Sequence, residues 1–153
     1  MKNKLTIATI LPYKENYTFS NAQAAAIWVC DFFKFSKYKK NNYIFGSTHT
    51  KDFLTNNYIN IEINNIKSKL SSSTIEYCNN FIKKAKKFNF DIIEIHNRPS
   101  VFTYLKDKIN SNFIIYFHND PLSMKGSKTI SERLNLLDKI DRIIFVSKWV
   151  QNR

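Results

Sequence analysis

The chain has 153 residues, of which 43% are hydrophobic and 15% aromatic, and its formal net charge is +12. Such a chain can bury enough apolar surface to offset the entropy lost on ordering, so the composition excludes intrinsic disorder and indicates one globular domain. No apolar run reaches the roughly 18 residues that a membrane-spanning helix needs. Cys30 and Cys78 lack the spacing of a zinc site or a redox dithiol, and the simplest interpretation is a reduced, cytoplasmic protein.

The positive charge comes mostly from lysine and favours a polyanionic partner, such as nucleic acid, anionic lipid or a phosphorylated substrate. The chain is also rich in Asn, Ile, Phe and Tyr, a composition that the codon bias of an AT-rich genome would produce. The charge by itself therefore does not identify a partner.

In the first half of the chain, the apolar run 5–11 predicts a buried strand that ends at Pro12. A polar loop then leads to Ser20 or Asn21 as the cap of a helix. This helix has one apolar stripe formed by Ala22, Ala25, Ala26, Val29 and Phe33, and a second formed by Trp28, Phe32 and Phe35. The stretches NYIFGS and NYINIEIN predict two further strands.

In the second half, Ser73-x-x-Glu76 predicts a capping box before a helix whose lysine-rich face is most simply solvated. The runs DIIEI, FIIYF and RIIFV predict three more buried strands. Helices are expected between them, one from Pro99 to about residue 109 and one capped by Thr129-x-x-Glu132. We expect the second of these to turn Ile130, Leu134 and Leu137 inward, and Ser147 to cap a final helix.

Strands that are apolar throughout must be buried on both faces, so this alternation of strands and helices predicts a mostly parallel sheet between two helical layers. The fold class is therefore α/β, a Rossmann-like doubly wound single domain. In such sheets ligands bind outside the carboxyl ends of the strands, where the strand order reverses.

Polar residues directly follow the predicted strands at this edge of the sheet. The candidate sugar-binding residues are His96, Asn97, Arg98, His118, Asn119, Asp120 and Ser147. Their imidazoles and carboxamides can hydrogen-bond sugar hydroxyls, and the guanidinium can bind a phosphate or carboxylate. We expect His96 and His118 to emerge side by side from neighbouring strands and to face shared solvent. The helix starts near Ser20, Asn21 and Ser147 offer free backbone N–H groups to an anion.

Several other chemistries are disfavoured by the sequence. The glycine-rich signatures of dinucleotide and P-loop sites are absent, and no Ser/His/Asp or Cys/His spacing specifies a covalent nucleophile. The three histidines, His49, His96 and His118, lack matching ligand spacing, so no metal site is predicted.

The stretches DIIEIHNRPSVFTYLK and IIYFHNDPLSMKGSKTISERLNLLDKIDRIIFVSKWVQNR resemble the amino-terminal domain of family 4 glycosyltransferases. These are retaining enzymes with two Rossmann-like domains, of the type called GT-B, that build lipopolysaccharide and other glycans. The resemblance covers nearly the whole chain and is most specific from residue 91 onward. It implies that residues 1–153 form the acceptor-side domain, and that the sequence stops before a second domain that holds most of the nucleotide sugar.

The resemblance also implies roles for individual residues. His118 would be the catalytic residue that reaches the donor sugar near the reacting carbon and stabilises the charge that develops there. Ser20, Asn21 and Ala22 would meet the pyrophosphate, although the Gly-Gly that this family often has in the loop is absent. No cofactor is implied beyond the nucleotide sugar as donor substrate, and the chain alone is expected to be inactive. The acceptor would be a sugar or a lipid-linked glycan, at the inner face of the cell membrane.

Two alternatives remain open on the sequence alone. A two-domain nucleotide-sugar epimerase would share the architecture but needs carboxylates near the nucleotide, and Glu94, in the middle of a strand, is a poor candidate. A basic module that binds nucleic acid or an anionic membrane surface would use a cluster formed by Phe33, Lys34, Phe35, Lys37, Tyr38, Lys39 and Lys40. Peripheral membrane contact is compatible with the glycosyltransferase hypothesis, whereas nucleic-acid binding is not expected from it.

Overall fold

The computed structural model of the chain describes residues 5–63 and 72–153. Its helices and strands alternate in the order that the sequence predicts. The strands are β1 (Ile7–Ile10), β2 (Asn42–Gly46), β3 (Tyr58–Asn60), β4 (Ile92–His96), β5 (Asn112–Phe117) and β6 (Arg142–Phe145). The helices are α1 (Ala24–Phe35), α2 (Ser73–Ala85), α3 (Pro99–Leu105), α4 (Ile130–Lys139) and α5 (Lys148–Gln151).

The six strands are all parallel and lie in the order β3-β2-β1-β4-β5-β6. The chain builds outward from β1 in one direction and from β4 in the other, so the strand order reverses between these two central strands. A crevice forms at such a reversal because the connections that leave the two strands diverge to opposite faces of the sheet. The predicted Rossmann-like, doubly wound α/β domain is confirmed.

Two clusters of buried side chains hold the helices against the sheet. On one face, α1 contributes Ala26, Val29 and Cys30 to a cluster with Leu11 and Ile44. On the other face, the strands pack against α2 through residues such as Phe81, and against α3 and α4 through Phe102 and Leu136. Cys30 and Cys78 are both buried free thiols. Among the described helices α1 to α4, α1 is therefore the one that packs on this first face of β1, β4 and β5.

Several predicted boundaries are wrong by a few residues. Helix α1 begins at Ala24, and the residue at the cap position is Gln23, whose side chain makes no capping hydrogen bond, rather than Ser20 or Asn21. Ser73 is already the first residue of α2, after Ser72 at the cap, so the predicted Ser73 capping box does not form. Helix α3 ends at Leu105, although a hydrogen bond from the Ile109 N–H to the Leu105 carbonyl continues the turn. Strand β3 is shorter than NYINIEIN, whose last residue, 64, lies outside the described residues.

The predicted inward face of α4 is wrong. Ile130, Leu134 and Leu137 are 71%, 63% and 61% exposed, whereas Leu136 is 3% exposed and packs in the core. The predicted capping box of Thr129 and Glu132 does form. Glu132 also accepts from the Gly126 N–H, and Arg133 donates to the carbonyls of Ser127 and Lys128, so the polar side of the first turn faces the preceding loop. None of the helices in the described residues is long and apolar enough to span a membrane.

Candidate functional site

The candidate site begins with Asn97, which joins the ends of β4 and β5. Its backbone has a φ of 52°, in the left-handed region that Asn tolerates better than most residues. Its N–H donates to the Tyr116 carbonyl over 2.9 Å, and its side-chain oxygen accepts from the N–H groups of His118 (2.8 Å) and Asn119 (3.3 Å). The Asn97 side chain is 6% exposed. It therefore holds the two strand ends together rather than facing solvent.

His96 and His118 form a hydrogen-bonded pair at these strand ends. His96 Nδ1 lies 2.8 Å from His118 Nε2, and the two residues come from neighbouring strands, as the sequence predicts. His96 is 1% exposed, so the expectation that both imidazoles face solvent is wrong for His96. Only His118, which is half-buried, reaches the surface.

Electrostatics keep both rings of the pair neutral. Burial lowers the pKa of His96 well below its ordinary value, and the adjacent His118 lowers it further. Burial also lowers the pKa of His118. Because ordinary histidine titrates near pH 6.5, both imidazoles are uncharged at neutral pH. No group of three His, Cys, Asp or Glu side chains in the described part of the chain is placed to hold a metal ion.

Trp28 of α1 covers the histidine pair. Its ring centroid lies 5.1 Å from that of His118, in an edge-on arrangement, and 5.7 Å from that of His96. It also contacts Tyr116, whose ring stacks on His96 at 4.7 Å. The sequence places Trp28 in an apolar stripe, which is correct, but gives no sign that the stripe packs on the strand ends. The indole therefore supplies the apolar wall that buries His96.

A buried polar network lies beneath the pair, along the face that α1 covers. The Thr9 hydroxyl is 2.9 Å from Glu94 Oε2 and 3.0 Å from Asn42 Oδ1, and the Tyr116 hydroxyl donates to Glu94 Oε1 over 3.4 Å. Burial raises the pKa of Glu94, although the hydrogen bonds from Thr9 and Tyr116 oppose that change. Sequence reasoning did not identify this network. A Glu and a Thr inside otherwise apolar strands were the available signals.

The remaining predicted site residues differ in whether their side chains bind other groups of the chain. Arg98 Nη1 donates to the Asn97 carbonyl over 3.0 Å, and Asn119 is exposed. Asp120 accepts from the Leu122 N–H and pairs with Arg153 at 3.0 Å, and these two partners lower the pKa of its carboxyl. Ser147 accepts from the Val150 N–H as the cap of α5, as predicted. Asp120 and Ser147 thus have structural partners at this edge, and their sugar-binding roles stay predictions.

The backbone N–H groups around the start of α1 already bind side-chain oxygens of the chain itself, including the carboxylates of Glu15 and Asp52. The Ser20 N–H donates to Asp52 over 2.9 Å, and the Asn21 N–H donates to the Thr18 hydroxyl over 3.3 Å. Glu15, a buried residue of this loop, accepts from the N–H of Ala26 in the first turn of α1 over 3.0 Å. An anion at this helix start would meet two carboxylates. The role of Ser20, Asn21 and Ala22 in phosphate binding therefore stays a prediction that requires the loop to rearrange.

A polar cavity that the sequence did not predict lies across the carboxyl ends of β1, β2 and β3. Its volume is about 440 Å³, and its lining includes Lys14, Ser47, Thr48, His49 and Asn60. Asn60 is held by Thr48, whose N–H donates to its side-chain oxygen over 2.8 Å and whose carbonyl accepts from its amide over 3.1 Å. The cavity and His118 lie on opposite sides of the β1–β4 reversal.

Comparison with known proteins supports the fold. No protein-family model matches the sequence, and no curated protein is similar to it at a significant level. Among solved structures, sucrose-phosphate synthase from Thermosynechococcus elongatus superposes with a TM-score of 0.64 at 12% sequence identity. The superposition covers 96% of this chain and 44% of that protein, so the chain spans less than half the length of the neighbour. At this identity the likeness concerns the fold alone.

Proposed function

We propose that the chain is the acceptor-side domain of a retaining glycosyltransferase of the GT-B type, within family 4. With a second domain, it would transfer a sugar from a nucleotide sugar to a glycan or lipid-linked acceptor, as in lipopolysaccharide synthesis. The observation that carries the proposal is His118, a neutral imidazole at the carboxyl end of β5, held by His96 and Asn97 beside the strand-order reversal. The neighbour's name, sucrose-phosphate synthase, denotes the synthesis of a phosphorylated disaccharide and agrees with this class of reaction.

In this proposal His118 acts as a fixed polar group. As the bond to the nucleotide breaks, negative charge develops on the departing phosphate oxygen near the reacting carbon, and an N–H dipole already directed at an oxygen there lowers the energy of that charge without reorganisation. The hydrogen bonds of His118 to His96 and Asn97 provide that preorganisation. Trp28 excludes water from one side of the ring, which strengthens electrostatic interactions there.

The cavity near His49 is the proposed acceptor site. Its volume of about 440 Å³ falls within the range of about 300–1,000 Å³ that small-molecule sites occupy. Hydroxyl, amide, imidazole and ammonium groups line it, which are the groups that hydrogen-bond sugars. Donor and acceptor would then approach the β1–β4 crevice from its two sides, and their alignment would depend on closure of a second wall.

Peripheral membrane contact is a further part of the proposal. At the end of α1, Phe35 is 89% exposed and Phe32 is 50% exposed, beside the lysine cluster at residues 34–40. Exposed aromatic rings flanked by lysines are typical of surfaces that bind anionic lipid.

The epimerase alternative gains no support, because Glu94 is buried beneath the histidines and paired with Thr9 and Tyr116.

The test is sugar transfer by the complete protein that carries this chain, assayed with a panel of nucleotide sugars and product analysis. His118→Ala should reduce kcat on the order of 100-fold, the usual cost of losing one preorganised donor. His49→Ala should mainly raise KM for the acceptor. The proposal fails if the wild-type protein transfers no sugar, or if His118→Ala leaves kcat unchanged. The proposal also requires a second domain for binding of the nucleotide sugar. Micromolar affinity of the 153-residue chain alone for a nucleotide sugar, measured by titration calorimetry, would contradict that requirement.

A further inference from the structure

We propose that His96 is a positioning residue that fixes the tautomer of His118, leaving the hydrogen of His118 on Nδ1 and presenting an N–H donor to the ligand. The ligand atom it meets must then be a hydrogen-bond acceptor, such as a hydroxyl, ring or phosphate oxygen. That the ligand is a sugar rests on the proposed function. The assignment of the tautomer rests on the geometry of the pair alone.

His96 and His118 share one hydrogen in their contact. The 2.8 Å contact between His96 Nδ1 and His118 Nε2 is a hydrogen bond only if one of the two nitrogens carries a hydrogen and the other does not. Each neutral imidazole has a single N–H, so there are two arrangements. Either His96 donates through Nδ1, or His118 donates through Nε2.

The far nitrogen of His96 distinguishes the two arrangements. His96 Nε2 is buried and has no hydrogen-bond partner among the described residues. If His118 were the donor, His96 would accept through Nδ1 and carry its hydrogen on Nε2, as an N–H without a partner. Buried N–H groups without a partner are rarer than buried acceptors without one. The hydrogen of His96 therefore belongs on Nδ1, and His96 is the donor.

The tautomer of His118 follows from the donor role of His96. Its Nε2 accepts from His96, so its only hydrogen is on Nδ1. No group among the described residues bonds to that nitrogen, and His118 is the half-exposed member of the pair. The ring of His118 contacts His96 through its Nε2 and Trp28 through an edge-on arrangement, and Asn97 binds the backbone N–H, so both the residue and its ring are held in place. His118 thus meets a ligand as a donor of fixed direction and, while it stays neutral, has no lone pair to act as a base toward it.

The experiment is long-range ¹H–¹⁵N NMR of the chain labelled with ¹⁵N-histidine, which distinguishes protonated from bare ring nitrogens. At neutral pH, His118 in the wild type should carry its hydrogen on Nδ1. His96→Asn places a side-chain amide where Nδ1 was and should preserve this tautomer. His96→Phe removes the donor, so the Nδ1–H tautomer is no longer fixed and His118 should populate the Nε2–H form as well. A wild-type His118 with its hydrogen on Nε2 overturns the inference, whether or not the Phe variant folds.

Kinetics then separate this inference from the proposed function. In the sugar-transfer assay His96→Phe should lower kcat about 10-fold or more, and His96→Asn should restore most of it, because the donor direction returns. If the spectra agree but the protein transfers no sugar, the tautomer stands and the proposed function fails. If transfer depends on His118 but His96→Phe and His96→Asn lower kcat equally, the positioning role fails.

Discussion

The side-chain oxygen of Asn97 accepts a 2.8 Å hydrogen bond from the backbone N–H of His118, a residue 21 positions later in the chain. Asn97 occupies a left-handed backbone conformation at the end of β4, and His118 follows the last residue of β5. The turn after β4 therefore fixes the position of the His118 imidazole at the end of β5. Stability and site geometry depend here on the same side chain.

Substitutions of Asn97 should separate the contribution of its hydrogen bond to His118 from that of its left-handed backbone conformation. Asn97→Ala loses the hydrogen bond to His118 and places an unfavourable residue at positive φ, so we expect a loss of about 2 kcal/mol in the free energy of unfolding. Asn97→Gly removes the same bond but tolerates the backbone conformation, and should cost about 1 kcal/mol. Asn97→Asp keeps the acceptor oxygen and serves as the control. Urea denaturation measures all three, and equal losses for Ala and Gly would show that the backbone conformation contributes nothing.

Glu94 should make the stability depend on pH. Burial raises the pKa of Glu94 above its unfolded value, so the folded state prefers the protonated carboxyl. The stabilisation that the protonated Glu94 contributes is then fully present at low pH, and it is lost as the pH rises through the pKa of Glu94 in the folded state. A protonated carboxyl can donate to Thr9, whose single hydroxyl hydrogen is then free for Asn42.

Glu94→Gln tests this directly, because an amide donates to Thr9 without ionising. At neutral pH the variant should be more stable than wild type by on the order of 1 kcal/mol, or about 2–4 °C in Tm. The difference should shrink toward pH 4, where Glu94 is protonated in the wild type. Thr9→Val is the matched control, because it removes the hydroxyl and leaves the carboxyl to titrate. A difference between Glu94→Gln and wild type that does not change with pH would contradict the assignment.

The sequence predicts the layers of the fold well because burial on both faces requires strands that are apolar throughout. DIIEI and FIIYF carry that signal unambiguously, and they also place His96 and His118 at one edge. The burial of His96 was not predictable in the same way. It depends on Trp28, whose position over the strand ends is fixed by the packing of α1 and leaves no local pattern.

Helix rotation and capping show the same limit. The patterns at Ser73 and Thr129 are equivalent in sequence, yet only Thr129 forms the box, because α2 begins one residue earlier than its pattern predicts. Periodicity correctly finds an apolar stripe at Ile130, Leu134 and Leu137. It does not reveal that loop contacts of Glu132 and Arg133 turn that stripe outward.

The orientation of α4 predicts that alanine substitution affects stability strongly at one leucine of this helix and hardly at another. Leu136→Ala should cost about 2–5 kcal/mol, the usual range for a buried leucine, because Leu136 packs in the core. Leu134→Ala should change the free energy of unfolding by less than about 0.5 kcal/mol, because that side chain is 63% exposed. Denaturant titration of the two variants in parallel gives the comparison. A larger loss of unfolding free energy for Leu134→Ala than for Leu136→Ala would instead support the inward-facing Leu134 that the sequence predicts.

The end of α1 should bind anionic membranes. Phe35 is 89% exposed, and Lys34 and Lys37 lie beside it, so insertion of the ring would be supported by attraction to lipid phosphates. Phe35→Ser should weaken binding to vesicles that contain phosphatidylglycerol about 10-fold, in line with the transfer free energy of a phenyl group. Phe19→Ser is the control, because Phe19 is 75% exposed in the loop before α1, next to Ser20 and its partner Asp52.

Co-sedimentation at two salt concentrations measures the effect, and binding should fall as salt rises because the lysines act through screened charge. Vesicles of phosphatidylcholine alone should bind weakly. Equal losses for the Phe19 and Phe35 variants would indicate nonspecific adsorption rather than a membrane surface at this helix end. Tighter binding to single-stranded DNA than to anionic vesicles, lost on substitution of Lys34 and Lys37, would instead assign the basic cluster to nucleic acid and count against the glycosyltransferase proposal.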